Sequence, residues 1–271
     1  MIRRRYIDAA TGQLHLRESA AAPGTPLACL HATAYSSRSF IPLLTALDGR
    51  RHVLAIDTPG YGESDAPSQP LTIAGYASAI ASALPDRVDL FGYHTGAAIA
   101  VELAIAHPDR VGRLTMMGVP LFQALDFEAW RARLAARHHL GPDLDQFAER
   151  WDFLVTNRPA GLSLRRGFEN FVDELKAWPD GWRSHAALFD LDFASRLPLI
   201  RVPVTILNPP GHLAEPSRAA AALMLDCAII ELPHLTGAAI EIHAATLADH
   251  LLESRSAPPR QDPVPVEIMR K

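Results

Sequence analysis

The sequence predicts an α/β fold: one mostly parallel sheet of about eight strands, with helices on both faces and a helical lid. Three observations predict it. Short apolar runs alternate with longer helical stretches from residue 27 onward, the pattern of parallel strands joined by crossover helices. The strand signal is lost over residues 119–199, where amphipathic, aromatic-rich segments replace it. Turns rich in glycine and proline follow several of the apolar runs, where open α/β sheets place their ligands.

Composition narrows the class. The chain has 271 residues, 48% hydrophobic and 21% charged, as expected of a folded globular protein with a large core. A net charge of −4 supplies no basic field for phosphate contacts, so nucleic acid is not an expected partner. No run approaches the roughly 20 apolar residues that cross a bilayer, and Arg3-Arg4-Arg5 is followed by Asp8 rather than by an apolar stretch, unlike a secretion signal. The expectation is a cytoplasmic protein without membrane contact. Cys29 and Cys227 sit in separate apolar runs, which predicts neither a disulfide nor a zinc cluster.

Element by element, residues 4–8 and 13–18 alternate weakly around Thr11-Gly12 and predict an antiparallel hairpin at the sheet edge. Runs at 27–30, 52–56, 88–91, 114–117, 204–207 and 228–232 predict six further strands. The core therefore divides into residues 1–118 and 200–255, with residues 119–199 inserted as the lid. Its aromatics, among them Trp130, Trp151, Phe171 and Trp178, fit either a cavity lining or simple packing between helices. Residues 256–271 are proline-rich and read as a loose, flexible tail.

Three turns carry the chemistry. Gly92-Tyr93-His94-Thr95-Gly96 lies between a strand and a helix of small residues; glycine at both ends permits the cramped backbone that lifts the middle residue, His94, above the sheet. Leu30-His31-Ala32-Thr33-Ala34 ends an earlier strand, where backbone N–H groups could face a developing oxyanion, with Tyr35 beside them. Asp57-Thr58-Pro59-Gly60-Tyr61-Gly62-Glu63-Ser64 closes the next strand.

These segments, in order and spacing from about Tyr6 to Glu253, resemble the α/β-hydrolase superfamily, including Val202-Pro203-Val204-Thr205-Ile206-Leu207 as the strand before the usual acid. The resemblance implies the α/β-hydrolase fold and cleavage of an ester, lactone, epoxide or carbon–carbon bond in a small organic molecule. It also exposes a departure, because the three triad positions hold neither Ser, Asp nor His in their usual places. The elbow carries His94. The acid position in Asn208-Pro209-Pro210-Gly211-His212-Leu213-Ala214-Glu215-Pro216 falls on Gly211 or His212. The base position after Leu232-Pro233 falls on Gly237 or Ala238, with His234 three residues earlier.

Three readings of these histidines follow. One is a relay in which His94 serves as nucleophile or base, His212 or His234 exchanges protons, and Asp57, Glu63 or Glu215 orients them. A second is a divalent metal on His31, His94 and His212, which lacks any short-range ligand spacing. The third leaves His94 passive in a degenerate site, with His31 serving the structure of its loop. The candidate catalytic set is His94, His212 and His234; the candidate oxyanion and substrate-binding set is His31, Ala32, Thr33, Tyr35, Tyr93 and Thr95. No metal or cofactor is expected, the partner is a small-molecule substrate, and homo-oligomerisation stays open. The alternative function is an inactive member of the fold that binds a small molecule or a protein.

Overall fold

The computed structural model describes residues 1–122, 127–138 and 140–253. Eight strands form one sheet: β1 (Arg3–Ala9), β2 (Gly12–Glu18), β3 (Leu27–Leu30), β4 (Val53–Ile56), β5 (Val88–Tyr93), β6 (Val111–Met117), β7 (Val204–Asn208) and β8 (Cys227–Glu231). Their order is β1-β2-β4-β3-β5-β6-β7-β8. The β1–β2 and β2–β4 pairs are antiparallel and the remaining pairs parallel. Every predicted strand is present, with ends shifted by three residues or fewer. The helices are α1 (Ile41–Leu47), α2 (Ile73–Ala81), α3 (Thr95–Ala106), α4 (Phe127–Arg137), α5 (Asp145–Trp151), α6 (Leu164–Lys176), α7 (Arg183–Phe189), α8 (Phe193–Arg196), α9 (Ala214–Ala222), α10 (Ala239–Ile242) and α11 (Ala244–Glu253).

The central strands are apolar throughout because both of their faces are covered. Leu27, Cys29, Val53, Ala55, Phe91 and Met117 join the layer containing α1, α10 and α11. Alternate residues Ala28, Leu30, Leu54, Ile56, Leu90 and Met116 join the layer containing α2 and α3. Parallel pairing sends the loops after β3, β4, β5, β6, β7 and β8 to one edge, which fixes where a site can form. Helices α4 to α8 lie between β6 and β7, as the loss of strand signal predicts. The predicted tail lies outside the described residues. Among those described, no helix is long and apolar enough to cross a membrane.

Helix α3 is the support of the elbow. It runs behind the strand edge as Thr-Gly-Ala-Ala-Ile-Ala, small enough for near-contact with the sheet. A Cβ on Gly96 would stand 2.2 Å from the Leu30 carbonyl oxygen, and one on Gly92 2.5 Å from the Ala97 Cα. Both obstacles are backbone. The Gly96→Ala variant is therefore expected to lose about 1–3 kcal/mol through overpacking, read as a lower denaturant midpoint with unchanged slope. A midpoint equal to the parent's would show that the elbow and the β3 end are free to separate.

Asp57, one of the carboxylates the sequence offers as an orienting group, instead ties loops together. It is 1% exposed and accepts from His15 Nδ1 at 2.7 Å and from the Ser37 and Glu63 N–H groups at 2.5 and 2.9 Å. Burial alone would raise its pKa. The His15 bond, the nearby His31 ring and the two N–H donors outweigh that and hold the carboxyl below the usual range.

Candidate functional site

Strand β5 ends and α3 begins at a single residue, His94, with φ 52° and ψ −120°. It is the one non-glycine residue with positive φ among those described, and a side chain held there persists only because its surroundings fix it. Its N–H donates to the Met117 carbonyl at 3.1 Å and its carbonyl accepts from Ala97 N–H at 2.8 Å, clamping the turn between β6 and α3. The ring lies against Gly118, where a Cβ would stand 2.7 Å from Cδ2. Only a glycine there leaves room for an imidazole at 94.

The ring faces a cavity of about 320 Å³ bordered by Tyr93, Asn208, Gly211, His212 and Gly237. Tyr93 packs edge-on at 4.2 Å between centroids, and His212 at 5.8 Å. Burial, reinforced by the nearby His212 and His185 rings, pushes the His94 pKa down to about 3. The imidazole is thus neutral, with a free lone pair, across the physiological range. No ring nitrogen of His94 has a hydrogen-bond partner among the described residues.

The structure brings only part of the predicted set to this cavity. His94, Tyr93 and the exposed His212 line it. His31 does not, and the expectation that it shares the mouth is corrected. The ring is 2% exposed, with Nδ1 donating to the Ala32 carbonyl at 2.8 Å and Nε2 accepting from Thr58 N–H at 3.0 Å. Neither nitrogen is left for a ligand. His234 is exposed outside the lining, while the glycine at 237 reaches it; the loop turns at Gly237 with φ 72° and leaves His234 on the outer side. Tyr35 packs instead beside Leu154, Val155 and Phe171 of the inserted segment.

Of the remaining oxyanion candidates, Ala32 is buried with its carbonyl taken by His31, and Thr33 and Thr95 share a hydroxyl–hydroxyl bond of 2.6 Å. Thr95 opens α3, where an N–H has no intrahelical acceptor. Of the carboxylates considered as orienting groups, Glu63 pairs with Lys176, and the exposed Glu215 pairs with Arg218. Among the described residues no group of three or more His, Cys, Asp or Glu side chains is placed to hold a metal ion.

Sequence reasoning missed His185. It projects from α7, stacks on Phe189 at 6.3 Å and is near enough to His94 to disfavour its charge. Burial pushes its own pKa down to about 4. The i,i+4 spacing of His185 and Phe189, which puts both on one face of the helix, was the available signal.

Residues 25–209 match the model of the family described as alpha/beta hydrolase fold. A 2-hydroxymuconate semialdehyde hydrolase from Pseudomonas sp. strain CF600 is 33% identical over 208 residues, which cover 68% of this chain and 71% of that protein. A pimeloyl-[acyl-carrier protein] methyl ester esterase from Aeromonas hydrophila is 30% identical over 105 residues, 38% of this chain. There the chain spans about two fifths of the relative, 41% of its length. The solved structure of a hydrolase from Pseudomonas aeruginosa PA01 superposes with a TM-score of 0.77 at 21% identity, covering 92% of this chain and 97% of its own. The enol-lactonase from Burkholderia xenovorans LB400 superposes with a TM-score of 0.74 at 18% identity, covering 92% and 98%. At these identities the two structures speak to the fold alone.

Proposed function

Because the chain belongs to the alpha/beta hydrolase family, and because its elbow presents a neutral imidazole rather than a hydroxyl, we propose that it cleaves a small, activated acyl compound with His94 as the nucleophile. The observation that carries the reading is a lone pair kept free of protons on the strained residue that the fold pushes into a cavity. A serine hydroxyl must lose a proton to attack, so it needs a base and a group that orients the base. An unprotonated imidazole needs neither. That difference makes glycine tolerable at positions 211 and 237.

In the proposed step a His94 ring nitrogen attacks the carbonyl carbon and the π pair moves to oxygen, toward the Thr33 and Thr95 N–H groups. Collapse breaks the bond to the leaving group, which takes a proton from water or from His212. The acyl-imidazolium loses its N–H proton to solvent, and water then attacks the acyl carbon, releasing the acid and restoring the ring. Low basicity makes His94 a weak nucleophile, so the substrate class is one with a good leaving group: an activated ester, an enol ester or lactone, or a carbon–carbon bond cleaved with a stabilised carbanion. The esterase and semialdehyde hydrolase relatives, by name, fall within this range.

The test is a panel of activated esters with rapid-quench mass spectrometry. Turnover with a transient acyl group on His94 supports the proposal. Turnover without an adduct on His94 removes its nucleophilic role. The second reading, a binder without catalysis, has its own observation: among the described residues the cavity wall, with Gly211, His212 and Gly237, carries no carboxylate to orient a base. Ligand retention with no turnover favours it.

The pH profile gives a separate check. With its pKa lowered to about 3, His94 keeps the reactive neutral form down to pH about 4, so the acylation rate is expected to show no acid limb at the ordinary imidazole pKa near 6.5. The stability consequence has the opposite sense to that of a paired histidine. The unfolded chain takes up this proton as pH falls through about 6.5 while the fold resists it, so His94 costs stability progressively between about 6.5 and 3. An acid limb near 6.5 that persists in His212→Ala would contradict the neutral state.

A further inference from the structure

Four hydroxyls form an unbroken chain from the elbow to the inserted helical segment. Thr95 Oγ1 lies 2.6 Å from Thr33 Oγ1, which lies 2.7 Å from Ser184 Oγ, which lies 2.6 Å from the Tyr61 hydroxyl. Tyr61 also accepts from Ser184 N–H and reaches the Gly181 carbonyl, both at 3.2 Å. The proton count gives the chain a direction. If Tyr61 donates to Gly181, its oxygen accepts both Ser184 donors; Thr33 then donates to Ser184 and Thr95 to Thr33, using each hydroxyl's single proton. The links are buried or half-buried, Ser184 being 2% exposed, so a broken link would leave polar atoms without water to replace the partner.

Two loops meet directly at one side chain of α7, the loop after β3 through Thr33 and the loop after β4 through Tyr61, and the elbow joins them through Thr95, which bonds Thr33. Thr33 and Thr95 are also the residues whose backbone N–H groups the proposed acyl transfer uses, and among the described residues neither N–H has a hydrogen-bond partner. We propose that Ser184 is a positioning residue for the acyl-transfer site: docking of α7 through the Ser184 hydroxyl sets the spacing of Thr33 and Thr95, so that the anion-holding N–H pair is complete only while the inserted segment is seated on the elbow. This rests on the acyl-transfer reading. It adds that seating of α7 and assembly of the site are one event.

The experiment compares wild type, Ser184→Ala and Ser184→Thr by activated-ester kinetics and by amide hydrogen exchange. Ser184→Ala is expected to lower kcat by roughly tenfold, less than loss of a direct oxyanion donor, with KM nearly unchanged. Ser184→Thr, which keeps the hydroxyl, is expected to recover most of the rate. Exchange should quicken in Ser184→Ala both in residues 183–189 and in the segments containing Thr33 and Thr95. Unchanged kcat in the alanine variant overturns the proposal, as does equal impairment in both variants, which would show that the rate does not follow the hydroxyl. Faster exchange confined to α7 overturns it too, since a helix merely stapled in place would show that. If wild type turns over no ester, the acyl-transfer reading falls, and the exchange pattern alone still decides whether Ser184 couples α7 to the two threonines.

Discussion

The His94→Ala variant is expected to lose nearly all activated-ester turnover, falling toward the roughly 10³–10⁴-fold over water that transition-state contacts and binding alone supply once a covalent nucleophile is removed, while it melts within a few degrees of wild type. The reasoning separates the two effects. The elbow backbone is clamped by the Met117 carbonyl and Ala97 N–H, and these bonds do not involve the imidazole. Alanine at φ 52° carries the same left-handed strain, about 1–2 kcal/mol, that histidine already carries. What disappears is the ring, with its contacts to Tyr93 and His212, and those border a cavity already open. Because the lost group is the one that forms the bond, the fall is expected in kcat with little change in KM. Retained turnover in a folded His94→Ala protein would move the chemistry off the elbow altogether. His212→Ala serves as the companion. It removes a proton carrier for the leaving group but leaves the nucleophile, so its effect is expected to be smaller and to shrink as the leaving group improves.

The parts of the molecule legible in the sequence are those set by periodicity and by steric exclusion. Strands such as 27–30 read clearly because both faces are buried and every residue is apolar. The elbow was legible because Gly92 and Gly96 answer to backbone atoms less than 3 Å away, a demand that only one residue type meets. Membership of the cavity was not legible, because it depends on where a loop side chain points. His31 and His94 follow neighbouring parallel strands, and one turns its ring into backbone partners while the other faces the open cavity. His234 and Gly237 share a loop, and a left-handed turn at 237 decides which reaches the wall. His185 was hidden for a different reason. In an aromatic-rich amphipathic helix, a histidine beside Phe189 looks like packing until the helix is docked. Asp57 looked like a candidate orienting acid for the same want of direction, until its carboxylate proved to be occupied by His15, Ser37 and Glu63.

Restoring the usual hydroxyl is expected to fail. Phosphonylating probes should leave no stable adduct on His94, since an N-phosphonyl imidazole hydrolyses as the acyl one does, nor on Thr95, whose hydroxyl is engaged with Thr33. In His94→Ser the nucleophile returns without a base to deprotonate it. Position 237 is a glycine with φ 72°, position 211 is a glycine too, and partial triads retain only what oxyanion donors and binding supply, roughly 10⁴-fold or more below a complete relay. His234 cannot fill the gap where it stands, because its exposed ring is outside the cavity lining, so His94→Ser/His234→Ala should match His94→Ser. His212 is the stronger rival, being on the cavity wall. Yet its ring centroid is already 5.8 Å from that of His94, and a shorter serine side chain widens the separation beyond the roughly 3 Å reach of a general base. The decisive comparison is His94→Ser against His94→Ser/His212→Ala. Equal, residual rates are the expected result. A high rate in the first that collapses in the second would mean that the 208–216 loop moves to supply the base, and that a serine relay had been displaced onto His212 rather than lost.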